Sequence, residues 1–375
     1  MAASHGKGYV ILVVSEGQYP AIVSKERRGE IQPMRALVLE EPGDNPKLVI
    51  EDRELPPLGP EDVLVKVHAC GVCYHDVLVM QGVLRRGVKE RPVLGHEISG
   101  TVAQVGESVE GFKVDDPVAS IFTEPCGYCE QCRRGREQRC IRGRGIGHRI
   151  DGGFAEYIKL HQNALVPLST RADLDTACIY GCPIGVAYNA IKDVAQLQAG
   201  ERALVTGAGG GLGVHSIQIA RAIGATVFAV TSSPEKMDRL TELGADEVLL
   251  VDDLDFSEVV MALTEDAGID VVVENVMSTT FHSSFRSLAQ FGRIVIVGAI
   301  GAGHIELNPA ELIFRDVHIM GTGGATRQQL RGVANLVEQG RIHPIVSQSF
   351  PLEEAVDAYR AMREKQTFGR VTLKP

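Results

Sequence analysis

The first half of the chain alternates short apolar runs with turn-forming residues. Apolar runs such as 36–39 and 63–67 are separated by segments rich in glycine and proline, of which LPPLGPED is one. The pattern continues through VAQVGESVEGFKV and FAEYIKL. Because short runs with frequent turn signals are typical of β-strands, we expect a β-rich domain over 34–185. Residues 1–33 precede it as an extension, either an ordered addition or a segment upstream of a start at Met34.

Over residues 186–326 the pattern changes to apolar strands that alternate with helical segments. Residues 212–222 carry apolar side chains at i, i+3, i+4 and i+7, the spacing of a helix that buries one face. A second helix is predicted over 234–243. The predicted strands are ALVTG, TVFAV, EVLLV, DVVVE and RIVIV. Strands that alternate with helices predict an α/β domain with a parallel sheet and right-handed crossovers.

The segment 327–375 again combines helices with short strands. Helices are predicted over 328–339 and 352–365, with a short strand between them and a final strand, VTLK. We expect this segment to return to the β-rich domain and pack on it. The chain has no internal repeat, and its 375 residues are sufficient for two domains.

Composition and charge limit the classes of function. The net charge is −10, from 38 basic and 48 acidic side chains, which argues against a nucleic-acid partner because phosphates require a basic face. No apolar run approaches the roughly 20 residues that span a bilayer, so we expect no membrane partner. An export signal is also missing, and a reducing cytoplasm is the expected location. There the eight cysteines are expected to be metal ligands, reactive thiols or buried apolar residues rather than disulfides.

Four of the cysteines form a compact metal-binding motif over about 124–142. Four thiolates can close a tetrahedron around Zn²⁺ and leave no open position, which predicts a structural zinc site. An iron–sulfur cluster and a loop without metal are the alternatives. Cys70 and Cys178 stand outside any such motif and are expected to be buried free cysteines. The motif has the spacing C-x2-C-x2-C-x7-C and consists of Cys126, Cys129, Cys132 and Cys140.

Cys73 in GVCYHD, His96 in GHE and Cys182 in YGCPIG form a second candidate set of metal ligands. Two thiolates and an imidazole would leave the fourth position of a zinc ion open for water or substrate. Asp76 can accept the free N–H of His96, and Glu97 can approach the metal or form an ion pair beside it. Distance along the chain alone does not unite these residues, because buried cysteines and hydrogen-bonded core histidines are common.

A glycine-rich loop follows the first predicted strand of the α/β region and opens its first helix. Glycines let the backbone approach a pyrophosphate, and the helix N-terminus offers unpaired N–H donors. The loop departs from strict G-x-G-x-x-G, and a tight turn without a ligand is the alternative. Its position between a strand and a helix favours dinucleotide binding. The loop consists of Gly207, Ala208, Gly209, Gly210, Gly211, Leu212 and Gly213.

The end of the next strand bears on cofactor preference. NAD enzymes commonly place an acid there for the ribose 2′-hydroxyl, whereas this chain has Thr231, Ser232 and Ser233. Without a carboxylate to repel a 2′-phosphate, and with Lys236 and Arg239 nearby in sequence, NADP(H) is favoured over NAD(H). The same residues also suit a serine-rich turn and a helix cap, and both interpretations can hold together.

These motifs together give the chain a resemblance to zinc-containing alcohol dehydrogenases of the medium-chain dehydrogenase/reductase superfamily. The resemblance covers about residues 34–375. It implies a GroES-like β domain and a Rossmann domain with a doubly wound parallel sheet, with the active site in the cleft between them. It also implies two zinc ions per chain, a nicotinamide cofactor, a small-molecule substrate and a homodimer or homotetramer. The motifs are GVCYHD, GHEISGTVAQVGE, the four-cysteine run, GGFAEY, GAGGGLG, EKMDRLTELGADEV and FGRVTLKP.

The resemblance also implies roles for individual residues. It assigns the catalytic zinc to Cys73, His96 and Cys182, and the structural zinc to the four-cysteine run. Glu97 matches an acid that can assist the exchange of water and substrate at the metal, as an alternate ligand. Arg370 matches a basic residue that contacts the cofactor.

The chain departs from typical alcohol dehydrogenases at the proton relay. Typical members carry serine or threonine two residues after the first zinc cysteine, and this position holds His75. The relay histidine three residues further on is replaced by Leu78. An imidazole, whose ordinary pKa is about 6.5, can carry a proton directly. Alternatively, His75 lines the cleft without a proton role.

The same departure leaves the reaction open. The CYHD motif, TSSPEK and the tail RIHPIVSQSFPLEEAVDAYR also resemble CYRD-type members, which include archaeal NADPH-dependent acryloyl-CoA reductases. The first hypothesis is reversible alcohol–carbonyl oxidoreduction, with the substrate oxygen on zinc and the proton on His75. The second is NADPH-dependent reduction of an activated double bond, such as that of a 2-enoyl thioester. The third is a zinc- and nucleotide-binding protein without catalysis, against which an open ligand set argues.

Overall fold

The computed structural model describes residues 22–24, 33–251, 255–300 and 304–375. Most of the predicted extension 1–33 therefore lies outside the described residues. The strands are β1 (Ile22–Ser24), β2 (Met34–Glu41), β3 (Lys47–Arg53), β4 (Asp62–Gly71), β5 (Glu97–Val105), β6 (Pro117–Ser120), β7 (Thr123–Glu124), β8 (Arg144–Gly145), β9 (Tyr157–His161), β10 (Leu165–Pro167), β11 (Arg202–Val205), β12 (Thr226–Thr231), β13 (Glu247–Leu250), β14 (Ile269–Glu274), β15 (Leu288–Ile296), β16 (His318–Gly321), β17 (Val346–Pro351) and β18 (Arg370–Lys374).

The helices are short, and within the described ranges none is long and apolar enough to cross a membrane. The α-helices are α1 (Tyr74–Met80), α2 (Glu130–Arg133), α3 (Leu174–Ala177), α4 (Ile184–Tyr188), α5 (Gly213–Ile223), α6 (Met237–Glu242), α7 (Ser257–Leu263), α8 (Phe281–Arg286), α9 (Pro309–Arg315), α10 (Arg327–Glu338) and α11 (Ala355–Arg363). Single 3₁₀ turns lie at Glu137–Arg139, Gln162–Ala164, Cys178–Tyr180, Pro234–Lys236 and Leu352–Glu354, and a π-helical turn at Asn189–Val194.

The chain divides into two compact units. The first takes the chain up to Cys182 together with Thr326–Arg331 and Val346–Pro375, and the second comprises Pro183–Ala325 and Gly332–Ile345. The segment Gly332–Ile345, which the sequence pattern assigned to the β-rich domain, groups with the second unit.

The first unit is built on a mixed sheet of seven strands. Its order is β10-β6-β5-β4-β18-β17, with β9 also paired to β4. Along β4, Val65 and Val67 are buried while Lys66 and His68 are exposed, so the strand has one apolar and one polar face. A three-stranded sheet in the order β1-β3-β2 completes the β-structure of this unit, apart from the short β7–β8 pair. The apolar faces enclose a core that includes Leu37, Ile98, Phe154 and Tyr359.

The second unit is a parallel six-stranded sheet in the order β13-β12-β11-β14-β15-β16. This is the doubly wound order, in which the direction of strand addition reverses between β11 and β14. Ligands of such sheets bind beyond the carboxyl ends of the strands at that reversal. The predicted α/β class with a parallel sheet is confirmed. Its central strands β11, β12 and β14 are largely apolar and buried, as parallel strands covered on both faces require, whereas the edge strands β13 and β16 are partly exposed.

One predicted strand begins earlier than the pattern RIVIV indicates. Strand β15 begins at Leu288, which pairs with Ile269 of β14, before the register shifts and Arg293 pairs with Val271. Phe291 lies in the extra residues of this bulge with a φ of 61°. A bulge interrupts the apolar pattern, and the first part of the strand is therefore not visible from periodicity.

The pairing of β4 with β5 gives a test of the first unit's fold. Gly100 of β5 lies so close to β4 that an added Cβ would stand 2.1 Å from the Lys66 carbonyl oxygen. We expect Gly100→Ala to destabilise this unit by about 2–3 kcal/mol, as overpacking does, and to lower its melting temperature by roughly 5–10 °C.

The matched control is Gly321→Ala in β16, where an added Cβ meets no atom within 4 Å. Calorimetry should show a much smaller change for this variant. Equal melting temperatures for Gly100→Ala and the unchanged protein would contradict the β4–β5 register.

Candidate functional site

The four-cysteine motif forms a compact group of sulfur atoms. The distances are 3.5 Å from Cys129 Sγ to Cys132 Sγ, 3.7 Å from Cys129 Sγ to Cys140 Sγ and 3.5 Å from Cys140 Sγ to Cys126 Sγ. None of these cysteines is in a disulfide. A tetrahedral zinc with Zn–S bonds of about 2.3 Å requires sulfur atoms about 3.8 Å apart. The four thiols therefore fit a zinc ion with no open position.

Backbone N–H groups donate to two of these sulfur atoms, those of Cys129 and Cys140. The Cys126 N–H donates to Cys140 Sγ at 3.3 Å. A hydrogen bond from the Cys132 backbone N–H lowers the pKa of the Cys129 thiol to about 6, although burial opposes the shift. Thiolate is the form that ligates zinc, so the fold of the loop favours the ligating state of this cysteine.

The second set of predicted ligands also comes together in the first unit. Ligand atoms of Cys73, His96, Glu97 and Cys182 all lie within 4.8 Å of one another. The structure thus unites residues that their separation in sequence did not unite. Thiolate, imidazole and carboxylate are all ligands that zinc accepts.

Strand register explains this convergence. Gly71 at the end of β4 pairs with Glu97 of β5 and with Thr372 of β18. Cys73 leaves β4 two residues later and is the N-cap of α1, while His96 lies immediately before β5. Cys182 follows the 3₁₀ turn at Cys178–Tyr180 and lies beside Cys73 and His96.

Asp76 orients the first two ligands from behind. Its Oδ2 accepts a hydrogen bond from the Cys73 backbone N–H at 3.0 Å, and its Oδ1 lies 3.4 Å from His96 Nδ1. Asp76 is completely buried, so its carboxylate has few other partners available. Because Nδ1 faces Asp76, the other ring nitrogen of His96 is directed away, 3.9 Å from Glu97 Oε1. This is the arrangement that holds a metal-binding imidazole in one orientation.

Glu97 is held by a buried ion pair with Arg370. Arg370 Nε donates to Glu97 Oε2 at 2.9 Å and Nη2 donates to Oε1. An added Cβ at Gly71 would stand 1.9 Å from Glu97 Oε2, so the carboxylate fits only over a glycine. Burial raises the pKa of Glu97 to about 7, although the charge of Arg370 opposes the shift. Arg370 is predicted to bind the cofactor. In the structure its guanidinium is paired with Glu97, beside the metal-binding group.

His75 lies in a cluster of aromatic rings beside the metal-binding group. Its ring is 5.3 Å from that of His96, 5.1 Å from Phe122 and 5.6 Å from His148, measured between centroids. Its Nε2 is buried without a hydrogen-bond partner among the described residues. Burial lowers the pKa of His75 from its ordinary value, and the nearby His96 adds to this effect. Phe122 and His148 were not predicted as site residues, because neither belongs to a motif.

The two remaining cysteines lie outside both groups. Cys70 and Cys178 have no exposed surface and are not in disulfides. Burial raises the pKa of both thiols, which keeps them in the neutral form. They pack as small apolar side chains, as expected of buried cysteines without metal.

The glycine loop joins β11 to α5 in the second unit. Gly207 has a φ of 57°, and the Ala208 N–H donates to the Val230 carbonyl at 3.0 Å. An added Cβ at Gly213 would stand 2.4 Å from the Gly207 carbonyl oxygen, which excludes any side chain there. The loop therefore folds tightly at the carboxyl end of β11, next to the reversal of strand order. Backbone N–H groups at such a place suit a pyrophosphate.

The predicted 2′-phosphate region adjoins this loop. Thr231 ends β12 and its Oγ1 accepts a hydrogen bond from the Ser233 N–H at 3.1 Å. Lys236 runs past the loop, since an added Cβ at Gly209 would stand 2.7 Å from its Cδ. Ser232 is exposed between Thr231 and Ser233. The Lys236 side chain thus lies against the glycine loop, and β12, which Thr231 ends, is the neighbour of β11 in the sheet.

A buried polar network supports the loop from below. Thr206 precedes Gly207, and its Oγ1 donates to Glu274 Oε1 at 2.7 Å and accepts from the Asn275 N–H at 2.9 Å. Ser284 Oγ donates to the other oxygen of Glu274 at 2.6 Å. Glu274 is completely buried at the end of β14. This network was not predicted from the sequence, although a carboxylate ending the apolar strand DVVVE was a signal for it.

Two protein families match the chain. The family described as alcohol dehydrogenase GroES-like domain matches residues 59–170. The family described as zinc-binding dehydrogenase matches residues 211–339. Together the two matches extend from β4 to α10 with a gap between them.

Relatives carry two different names. The chain is 34% identical over 343 residues to an acryloyl-coenzyme A reductase of Sulfurisphaera tokodaii, covering 91% of this chain and 100% of that protein. It is 33% identical over 348 residues to an NAD-dependent alcohol dehydrogenase of Sulfolobus acidocaldarius, covering 91% of this chain and 99% of that protein.

Solved structures share the fold over nearly the whole length. The crystal structure of AibC matches with a TM-score of 0.85 at 36% identity, covering 94% of this chain and 99% of that chain. The cobalt and zinc bound thermostable alcohol dehydrogenase from Pyrobaculum aerophilum matches with a TM-score of 0.80 at 30% identity, covering 91% of this chain and 99% of that chain.

Metal content tests the two groups of ligands separately. We expect two zinc ions per chain in the purified protein, and one in each of the variants Cys132→Ser and Cys182→Ser, because each removes a ligand from one group. Elemental analysis by plasma mass spectrometry measures the content. Cys178→Ala, a buried cysteine outside both groups, serves as the control and should retain both ions. Retention of two zinc ions by Cys182→Ser would show that Cys182 is not a required ligand of the second zinc ion.

Proposed function

The chain belongs to the zinc-containing alcohol dehydrogenase family of medium-chain dehydrogenases/reductases, and on that premise we propose that it is an NADPH-dependent reductase of 2-enoyl thioesters. The family makes it an oxidoreductase that uses a nicotinamide cofactor. Relatives named acryloyl-coenzyme A reductase are 34% and 38% identical to it, and relatives named NAD-dependent alcohol dehydrogenase are 32–33% identical. The substrate therefore has to be argued from the site.

One observation carries the choice of a thioester substrate. Alcohol-oxidising members of the family are expected to start a proton relay from a serine or threonine hydroxyl at the position of His75. Here the side chain is an imidazole, packed among aromatic rings, with Nε2 buried and unpaired among the described residues. The hydroxyl relay that removes an alcohol proton is thus missing. Reduction of a carbon–carbon double bond has no alcohol proton to remove, and it needs instead one proton delivered to the α-carbon.

The residues of the first unit would hold zinc and substrate. Cys73, His96 and Cys182 would hold the metal, with Glu97 as an alternate ligand, and zinc when bound would supply a Lewis acid for the thioester carbonyl oxygen. Asp76, whose Oδ1 lies 3.4 Å from His96 Nδ1, would orient the His96 ring toward the metal. Arg370 holds Glu97 by two hydrogen bonds, which limits how readily that carboxylate can turn toward the metal.

The second unit would hold the cofactor. The backbone of Gly207–Gly213 suits its pyrophosphate, and reduced nicotinamide supplies the hydride for the β-carbon of the substrate. Thr231, Ser232, Ser233 and Lys236 would contact the ribose 2′-phosphate. The absence of a carboxylate among these side chains supports NADP(H) over NAD(H).

His75 would supply the proton that completes the reduction. When hydride adds to the β-carbon, the α-carbon takes a proton, and the products are the saturated thioester and oxidised cofactor. The His75 ring lies beside His96 and toward His148, whose ring is half-buried. An imidazole in this place can donate the proton and recover it through the second ring.

The second candidate function is reversible alcohol–carbonyl oxidoreduction. It is favoured by the ligand set itself, because two thiolates and an imidazole leave a position open for an alcohol oxygen. In that reaction His75, not a serine, would take the hydroxyl proton. The relative named NAD-dependent alcohol dehydrogenase supports this candidate.

A cofactor-oxidation assay separates the two candidates. With NADPH, we expect turnover of acryloyl-CoA at least about a hundredfold faster, in kcat/KM, than turnover of a panel of aldehydes and ketones, a gap of nearly 3 kcal/mol in activation free energy. NADPH should also be preferred over NADH at the same thioester concentration. Turnover restricted to aldehydes and ketones would overturn the thioester proposal and leave the second candidate.

The His75→Ala variant tests the proton role. We expect kcat to fall by about a hundredfold, the smaller end of the range for loss of a general acid, with zinc content unchanged and partial rescue by added imidazole. His282→Ala, which removes an exposed histidine in the second unit, is the control. A rate and a pH profile like those of the unchanged enzyme would mean that His75 only lines the site.

A further inference from the structure

Three arginines form a positively charged surface close to the catalytic centre of the first unit. We propose that Arg85, Arg86 and Arg149, called here the arginine face, bind the phosphate groups of a coenzyme A thioester. The inference rests on the proposed function, since it supposes a thioester substrate, and it goes further by naming the carrier group and the residues that recognise it.

The charge of this region is opposite to that of the whole chain. The net charge of the protein is −10, yet the segment 133–149 contains seven arginines and a single acidic residue, Glu137. Glu137 is itself paired with Arg327 at 2.7 Å. A local surplus of positive charge on an acidic protein attracts a polyanionic ligand while the rest of the surface repels it.

Backbone contacts bring the three arginines together. The Arg86 carbonyl oxygen lies 3.1 Å from His148 Nε2, and the Lys89 N–H donates to the His148 carbonyl at 2.7 Å. Gly87 lies against Arg149, because an added Cβ there would stand 3.0 Å from Arg149 Nε. The loop that carries Arg85 and Arg86 is therefore fastened to the segment that carries Arg149.

The guanidinium groups of the arginine face have no carboxylate partner among the described residues. All three side chains are exposed, and Arg85 Nε donates only to the carbonyl oxygen of Gly82. The carboxylate of Asp151, which lies nearby, is paired with Lys89 and Arg53. Two other arginines of the segment 133–149 are paired with carboxylates, Arg144 with Glu124 at 2.6 Å and Arg134 with Glu130 at 2.8 Å.

Two contacts between histidine rings link the arginine face to the metal-binding group. His148, which holds Arg86, has its ring 5.6 Å from that of His75, and His75 is 5.3 Å from His96. In a coenzyme A thioester the phosphates lie at the far end of the pantetheine arm from the acyl group. A phosphate site must therefore be near the catalytic centre without being part of it, as the arginine face is.

Arginine is suited to this ligand. Its planar guanidinium presents paired N–H donors that match two oxygens of a phosphate group, and it stays charged at any pH at which the enzyme works. A coenzyme A thioester carries a diphosphate and a 3′-phosphate, so three arginines can each meet a phosphate oxygen. A substrate without phosphates, such as a simple aldehyde, gains nothing from this surface.

The test compares two thioesters that share the acryloyl group. One is acryloyl-CoA and the other is S-acryloyl-N-acetylcysteamine, which has no phosphate. In the triple variant Arg85→Gln, Arg86→Gln and Arg149→Gln, we expect the KM for acryloyl-CoA to rise about tenfold with kcat unchanged, because charge-assisted phosphate contacts are lost. The KM for the phosphate-free thioester should not change.

A variant with the same loss of charge is the control. Arg171→Gln, Arg360→Gln and Arg363→Gln replace three exposed arginines elsewhere in the first unit, and we expect both KM values to stay as in the unchanged enzyme. The proposal is overturned if the arginine-face variant changes neither KM, changes both alike, or behaves like this control.

Binding of coenzyme A can be measured without turnover, so it tests the arginine face independently of the proposed function. If the unchanged enzyme reduces neither thioester, the proposed function fails, but calorimetric titration with coenzyme A under saturating NADP⁺ still tests the arginine face. We expect the arginine-face variant to bind about tenfold more weakly than the control, and added salt to weaken binding to the unchanged protein. Equal affinities in all three proteins would overturn the inference.

Discussion

The buried ion pair between Glu97 and Arg370 joins segments that are distant in sequence. Glu97 begins β5 and Arg370 begins β18, and both strands pair with the end of β4. A charge buried so completely is costly without its partner, so each side chain requires the other. Because Cys73 follows β4 and His96 precedes β5, the same pairing brings the metal ligands within reach of one another. Gly71, with no side chain, leaves the space that the carboxylate occupies.

The second unit depends on a comparable buried carboxylate. Glu274 ends β14 and accepts hydrogen bonds from Thr206 and Ser284, which tie β11 to β14 at the reversal of strand order. Thr206 precedes the glycine loop, so the network fixes where the loop begins. In both units a completely buried acidic side chain helps to position the site. Glu97 does so for the metal-binding group, and Glu274 for the start of the glycine loop. The chemistry that each unit can perform follows from that placement.

The proposed choice of substrate rests on side chains beside this framework. His75 stands where the family's alcohol relay would start, and it contacts the rings of Phe122 and His148 instead of a hydroxyl. The next contact outward joins His148 to the Arg86 carbonyl, in the arginine face, where no carboxylate partner lies among the described residues. One scaffold can host different activities when a few residues around its site change, and the proposed thioester substrate depends on these residues.

Local sequence determined what depends on neighbours along the chain. The spacing of Cys126 to Cys140 specified a four-thiolate group, apolar periodicity specified α5 to within a residue, and the glycine loop was identified from its place between a strand and a helix. The open ligand set was assigned only through the family resemblance, because Cys73, His96 and Cys182 are brought together by strand register. Phe122, His148 and the partner of Arg370 became visible only in the tertiary structure. Such contacts link residues far apart in the chain, and a local pattern carries no information about long-range pairing.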